Sequence, residues 1–361
     1  MRVRPIAMKT ALAACVSVIV AALLLMGGCE QPNKDLDTAG YTAEIKPIPP
    51  GLTRFEAMVI PSDNPMTPEK VALGRQLFFD KRLSADESRS CYSCHVCEKG
   101  LTDGLPKAVG AFNKTLKRGS PTLWNIGYHK EFYWDGRSGS LEKQAMAAWQ
   151  GGNMGAKDKE DEIVGRINAL QGYRGQFRKV FGTDATKENI MMALSAFERT
   201  ITSGNGDTPV DRWQAGDESA VADDVKRGRK VFEEVKCTNC HDGVLLTDMQ
   251  YHNVGIGMDL PEAERDNGRF DATKKPEDTG AFKTPTLRDV AKSAPYFHDG
   301  STKTLEEAVE LMLGGGKPNQ YLDKKNLEKR EITKEQKQDL LAYLRALSVD
   351  CSLREPSLPQ K

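Results

Sequence analysis

The sequence predicts an all-α fold made of two tandem helical domains, and three observations carry that prediction. The chain repeats itself, each half opens and closes with an amphipathic helix, and no convincing run of alternating strand residues appears. In the first half Val71-Ala72-Leu73-Gly74-Arg75-Gln76-Leu77-Phe78 precedes a Cys-x-x-Cys-His pentapeptide. In the second, Val225-Lys226-Arg227-Gly228-Arg229-Lys230-Val231-Phe232 precedes another. Both octapeptides gather their apolar residues on one helix face. Thr67 is the expected N-cap of the first helix, with Pro68 at its first position. Downstream, Pro121-Thr122-Leu123 leads to Phe132-Tyr133-Trp134-Asp135-Gly136 and Leu141-Glu142. Pro285-Thr286-Leu287 leads at the same spacings to Tyr296-Phe297-His298-Asp299-Gly300 and Leu305-Glu306. One closing helix starts at Thr186 and carries Ile190, Leu194, Phe197 and Ile201. The other starts with a Thr333/Gln336 capping box and carries Leu340, Leu344 and Leu347. The halves meet near Gly204 to Asp217, a Gly- and Asp-rich stretch around Pro209. Gly243 to Lys283 reads as long loops, and the charged stretch Lys324 to Gln338 as a solvated helix start.

The pentapeptides are Cys91-Tyr92-Ser93-Cys94-His95 and Cys237-Thr238-Asn239-Cys240-His241. Two thiols at this spacing can add to the vinyl groups of a haem, and the adjacent His is then held against the iron. A redox CxxC does not need the trailing His twice, and a zinc site built from both CxxC pairs would leave both histidines unexplained. Chance predicts such a match in roughly one chain in several hundred of this composition. Each half is therefore expected to be a cytochrome c-like helical domain with one covalent haem c, bound through Cys91, Cys94 and His95 or through Cys237, Cys240 and His241.

Residues 1–28 do not belong to the fold. Arg2, Arg4 and Lys9 form a basic start, Ala11 to Met26 is almost wholly apolar, and Gly27-Gly28-Cys29 closes the stretch. The segment resembles a lipoprotein signal peptide whose Cys29 is lipidated, although Met26 stands where such signals usually carry Leu; an ordinary cleaved signal or an uncleaved anchor helix is the alternative. Either way the chain is exported, and the expected place is the periplasmic side, anchored by lipid to the outer membrane. Residues 29–51, ending in Pro47, Pro49 and Pro50, read as a tether. The two haem domains then span 52–210 and 211–361. Net charge is zero and the charges are interspersed, so no nucleic acid partner is implied. Of eight cysteines, Cys97 and Cys351 remain; in an oxidising compartment they form either a disulfide or two free thiols.

The halves differ at one informative place. The helix from Thr304 to Leu313 carries Met312, where the first half has Ala148. A thioether can ligate haem iron and raise its potential. Core packing is the plainer role for Met312, which shares a helix face with Leu305, Ala308 and Val309, and Met258 is a rival ligand.

Together these motifs, with Ser120-Pro121-Thr122, Trp134-Asp135-Gly136-Arg137, Gly268-Arg269-Phe270 and Ala294-Pro295-Tyr296-Phe297-His298-Asp299-Gly300, resemble the bacterial dihaem cytochrome c peroxidase family, MauG-like enzymes included. The likeness runs from about Met66 to Leu347. It implies that the N-terminal haem is peroxidatic with His95 behind its iron, that the C-terminal haem transfers electrons with His241 and Met312 as ligands, and that Trp134 lies between them. The distal Gln is present as Gln144. Three departures stand out. Typical members cap the peroxidatic iron with a His where this chain has Ala111, so an open sixth position is expected. Their distal Glu aligns with Asn153, which can donate a hydrogen bond but cannot shuttle a proton at neutral pH. Their inter-domain Ca2+ site uses an Asn where Gly119 stands, leaving the carbonyls of Ser293 and Pro295 as candidate ligands.

The resemblance implies reduction of hydrogen peroxide to water with electrons from a small cytochrome c or cupredoxin, with Gln144, Trp134 and Asn153 as catalytic residues. Two rivals are MauG-like oxidation of a partner protein and a dihaem electron carrier without peroxide chemistry. A homodimer is left open. His129 reads as structural or exposed, His252 and His298 as partners of propionates or backbone near the second haem, and Arg137, Arg269 and Arg288 as propionate partners or solvated side chains.

Overall fold

Thr67 accepts the N–H of Lys70 at 3.2 Å, and this cap starts the first helix of the structure, a computed structural model that describes residues 58–204 and 206–360. The expectations for residues 1–28, the tether and lipidation of Cys29 lie outside the described residues. No described helix is long and apolar enough to cross a membrane.

The first half contains α1 (Pro68–Phe79), α2 (Leu141–Gln150), α3 (Glu160–Asn168), α4 (Gln171–Phe181) and α5 (Lys187–Glu198). The boundary stretch holds α6 (Pro209–Gln214). The second half contains α7 (Asp223–Glu234), α8 (Phe270–Thr273), α9 (Leu305–Leu313) and α10 (Lys334–Arg345). Capping boxes start α5 at Thr186 with Asn189, α9 at Thr304 with Glu307, and α10 at Thr333 with Gln336. Two expectations need correcting. Lys324 to Gln338 is not one helix start, because α10 begins only at Lys334, where Thr333 caps it. Gly243 to Lys283 is not loop throughout: Tyr251–His252 (β1) pairs antiparallel with Phe282–Lys283 (β2), and α8 lies between.

In each half the opening helix crosses the closing one, α1 on α5 and α7 on α10. A glycine sits at both crossings. A Cβ on Gly74 would lie 2.8 Å from Phe197 Cβ, and one on Gly228 would lie 2.8 Å from Tyr343 Cβ, each closer still to a backbone carbonyl of the facing helix. Aromatic pairs flank the crossings: Phe78–Phe197 at 5.1 Å and Phe232–Tyr343 at 5.2 Å between ring centroids. The duplication extends to the loops. Phe132 bridges Ser138 as Tyr296 bridges Thr302, and the residues that follow, Tyr133 and Phe297, have φ of 69° and 68°. Asn125 and Asp289, each four residues past the Pro-Thr-Leu proline, share φ of 62°.

The halves are tied by buried polar contacts. Trp124 Nε1 donates to Asp289 Oδ2 at 3.3 Å, and Arg118 bridges Asp135 and Asp266, both at 2.7 Å. Lys283 Nζ donates to His129 Nδ1 at 3.0 Å and to the Glu131 carbonyl at 2.6 Å. Cys97 and Cys351 form a disulfide with Cα atoms 5.5 Å apart, which resolves the alternative left by the sequence.

Candidate active site

The two pentapeptides fold alike. Cys91–Ser93 and Cys237–Asn239 each make one 3-10 turn, and the first cysteine carbonyl accepts the histidine N–H, at 3.1 Å for His95 and 2.9 Å for His241. Each imidazole is then fixed through Nδ1, which donates to the Leu101 carbonyl at 3.0 Å in His95 and to the Leu246 carbonyl at 3.1 Å in His241. That bond leaves the lone pair on Nε2. Burial pushes both imidazoles below their ordinary pKa, which favours the neutral ligand form. Burial likewise raises the thiols of Cys91 and Cys94, and pushes Cys237 up to about 12. All four cysteines are free of disulfides. Two thiols and one Nε2 ligand per motif fit a covalently attached haem.

A cavity of about 510 Å³ opens on the first motif. Cys91, Cys94 and His95 line it together with Gln144, Asn153 and Trp134. Gln144 is carried by α2, which Ser140 starts by accepting the Lys143 N–H at 3.2 Å. Trp134 is anchored at both ends: its Nε1 donates to the Gly119 carbonyl at 2.9 Å, and its own carbonyl accepts the Lys283 N–H at 2.8 Å. The indole is thus held by the first half, while the backbone of Trp134 meets the second. Ala111 does not line the cavity. It is buried just behind, and its N–H donates to the Asn153 carbonyl at 3.0 Å, so the two departures from the family pattern are joined.

Two atoms in the cavity wall are buried without a hydrogen-bond partner among the described residues, His129 Nε2 and Glu198 Oε2. His129 accepts a hydrogen bond from the Lys283 ammonium on Nδ1, so in the neutral ring Nε2 carries the hydrogen and offers a donor suited to an anionic group such as a propionate. This unmet donor is a second sign that a haem fits the cavity.

Neither Met312 nor any residue of the second motif lines this cavity. Met312 lies in the last turn of α9 and is partly exposed, whereas Met258 is buried beside Gly280. His252 sits 3.6 Å from Cys240 Sγ, near the second motif as expected, but its ring is clamped by two carboxylates, Asp248 at 2.9 Å and Asp323 at 2.5 Å. Burial opposes its charge, yet Asp248, Cys240 and Asp323 together raise its pKa to about 11. His298 stacks on Phe282 at 3.6 Å, and burial pushes it down to about 4. Arg288 is not solvated: it is buried in a two-pronged pair with Asp211 at 2.9 Å. Arg269 pairs with Glu131 at 3.0 Å, and Arg137 lies over the Tyr133 ring at 3.5 Å. Gly119 offers no side chain for a cation. A Cβ there would meet the Pro106 carbonyl at 3.1 Å, and its own carbonyl is engaged by Trp134.

Residues 68–219 match the family model for di-haem cytochrome c peroxidase, and residues 225–348 match that for cytochrome c. The chain is 36% identical to cytochrome-c peroxidase IdrP1 of Denitromonas iodatirespirans, over 87% of this chain and 89% of that one. The chain belongs to the di-haem cytochrome c peroxidase family. Methylamine utilization protein MauG of Methylorubrum extorquens is 35% identical over 95% of this chain and 98% of its own. Among solved structures, a MauG-like protein associated with microbial copper homeostasis superposes with a TM-score of 0.74 at 30% identity, covering 85% of this chain and 97% of that one. Membership makes the chain a haem peroxidase-type oxidoreductase of tandem helical domains carrying haem c.

Sequence reasoning missed Glu198 and the Lys283–His129 pair as parts of the cavity wall. Glu198 follows Phe197 on a helix chosen for its apolar face, and nothing in a linear pattern shows that this carboxyl opens inward.

Proposed function

We propose that this chain reduces hydrogen peroxide to water in the first domain, residues 52–210, using electrons that a small cytochrome c or cupredoxin delivers to the second, residues 211–361. The observation that carries the reading is the single cavity shared by His95, Gln144, Asn153 and Trp134. Haem bound through Cys91, Cys94 and His95 would supply reductive cleavage of an O–O bond. Around it, His95 presents a neutral Nε2, while Gln144 and Asn153 offer amide N–H groups to orient peroxide. Trp134 would lie on the route to the second haem, which His241 and Met312 would hold; the backbone bond from Lys283 to Trp134 supports that reading. Sulfur ligation there would favour electron storage over peroxide binding. The exported disulfide protein is proposed to act on the periplasmic side, held by lipid on Cys29.

MauG-like oxidation of a partner protein is the second reading, favoured by the likeness to MauG over nearly the whole chain. The deciding experiment uses holoprotein. Electron spin resonance of the resting form is expected to show one high-spin and one low-spin iron, and peroxide is expected to be consumed with a reduced small cytochrome. Two low-spin irons and no turnover would defeat the proposal. Consumption only alongside modification of a protein would select the MauG-like reading.

A further inference from the structure

Glu198 ends α5 and is 6% exposed, yet it lines the cavity that contains His95, Gln144 and Asn153. Its Oε2 is buried with no hydrogen-bond partner among the described residues. The adjacent cation is committed elsewhere. Arg199 pairs with Glu142 at 2.7 Å and donates to the Val59 carbonyl at 3.1 Å. Asn64 also donates to Glu142, at 2.8 Å. The other ionisable groups nearby are the Cys91 thiol and Lys70 on α1, which is hydrogen-bonded to Asn64 at 2.9 Å; the same cavity wall carries the His129–Lys283 pair and the ion-paired groups Arg118, Arg137, Asp135, Lys117 and Asp271. None of these offers Glu198 a counter-charge at hydrogen-bond distance. Burial, reinforced by the Glu142 carboxylate and opposed by Arg199, pushes its pKa up to about 8. The negative end of α5 also disfavours its ionised form. The side chain is therefore a carboxylic acid at neutral pH, lining the same cavity as Gln144 and Asn153, which are both amides.

Reducing one peroxide to two waters consumes two electrons and two protons. The reduced redox protein supplies the electrons, and the departing oxygen needs a proton as the O–O bond breaks. Resting on the peroxidase reading, we propose that Glu198 is the acid that supplies protons to this cavity, in the role that an amide at Asn153 cannot fill. In that step the carboxyl O–H bond breaks, a new O–H bond forms on the leaving oxygen or on a cavity water that relays it, and the carboxylate regains its proton from solvent through the same cavity.

The test compares wild-type holoprotein with Glu198→Gln, each checked for two covalent haems per chain. Infrared difference spectra between pH 6 and pH 10 should show a protonated carboxyl in the wild type that titrates near pH 8 and is absent from Glu198→Gln. The rate of the first reaction with peroxide should fall above about pH 8 in the wild type. In Glu198→Gln it should be flat with pH and slower by roughly 10²-fold or more. Should Glu198→Gln fail to bind haem, Glu198→Asp replaces it and should move the alkaline limb. Wild-type rate with an unmoved limb in either variant overturns the role of Glu198 alone. So does an infrared spectrum with Glu198 already ionised at pH 6. A wild type inert to peroxide overturns the peroxidase reading, and this role with it.

Discussion

The helix crossing at Gly228 sets a quantitative test of how each half is held together. In Gly228→Ala the new methyl carbon would stand 2.6 Å from the Asp339 carbonyl carbon and 2.8 Å from Tyr343 Cβ. Carbon atoms pack at about 3.5–4.0 Å, so α7 and α10 would have to separate by roughly 1 Å. Separation loosens Phe232, Leu340, Tyr343 and Leu344, all buried at the crossing. Overpacking of this kind costs about 1–3 kcal/mol or more, against which alanine returns about 1 kcal/mol of helix propensity. The clash is with the Asp339 backbone rather than with the end of a flexible side chain, so the upper figure applies and the net loss is about 2 kcal/mol, or a fall in Tm of roughly 4–8 °C for a domain of this size. Gly165, in α3, is the control: a Cβ there meets nothing within 4 Å, so Gly165→Ala should stabilise by roughly 0.5–1 kcal/mol. Thermal unfolding followed by far-ultraviolet circular dichroism reads both. A Tm in Gly228→Ala equal to or above wild type would refute the close-approach argument.

Two further outcomes are expected. Cys351→Ser removes a cross-link spanning 254 residues and should lower stability in denaturant titrations by about 2–5 kcal/mol, a difference that reducing agent should abolish. Lys283 is buried, and burial lowers its pKa from 10.5 to about 8, so the folded state binds fewer protons than the unfolded chain between those values. Its contribution is present above pH 10.5 and lost as pH falls through 8; wild type should therefore gain about 3 kcal/mol over Lys283→Met as pH rises across that window. A stability gap independent of pH would show that the amine is not desolvated.

Much of the fold was legible because its signals are local. A capping threonine, a proline at the first helical position and apolar spacing of three to four residues each act within one turn, so the starts of α1, α5, α9 and α10 could be placed from sequence. Lys324 to Gln338 misled because charge pattern marks a solvated surface whether or not it is helical. The Tyr251–Lys283 pairing of β1 and β2 was invisible because two-residue strands carry no periodicity.

The candidate site divides the same way. The sequence by itself determined the covalent chemistry, since two thiols and a histidine within five residues can reach one haem whatever surrounds them. It also fixed the contrast between Ala111 and Asn153 on one side and Met312 on the other, as a matter of residue type. Only the tertiary structure decided that Asn153, Gln144, Trp134 and Glu198 open onto one cavity, that Lys283 of one half meets His129 of the other, and that Cys97 meets Cys351. The physical reason is that ligand identity is a property of atoms, whereas proximity and burial arise from chain segments distant in sequence. For an acid such as Glu198, burial sets the proton affinity.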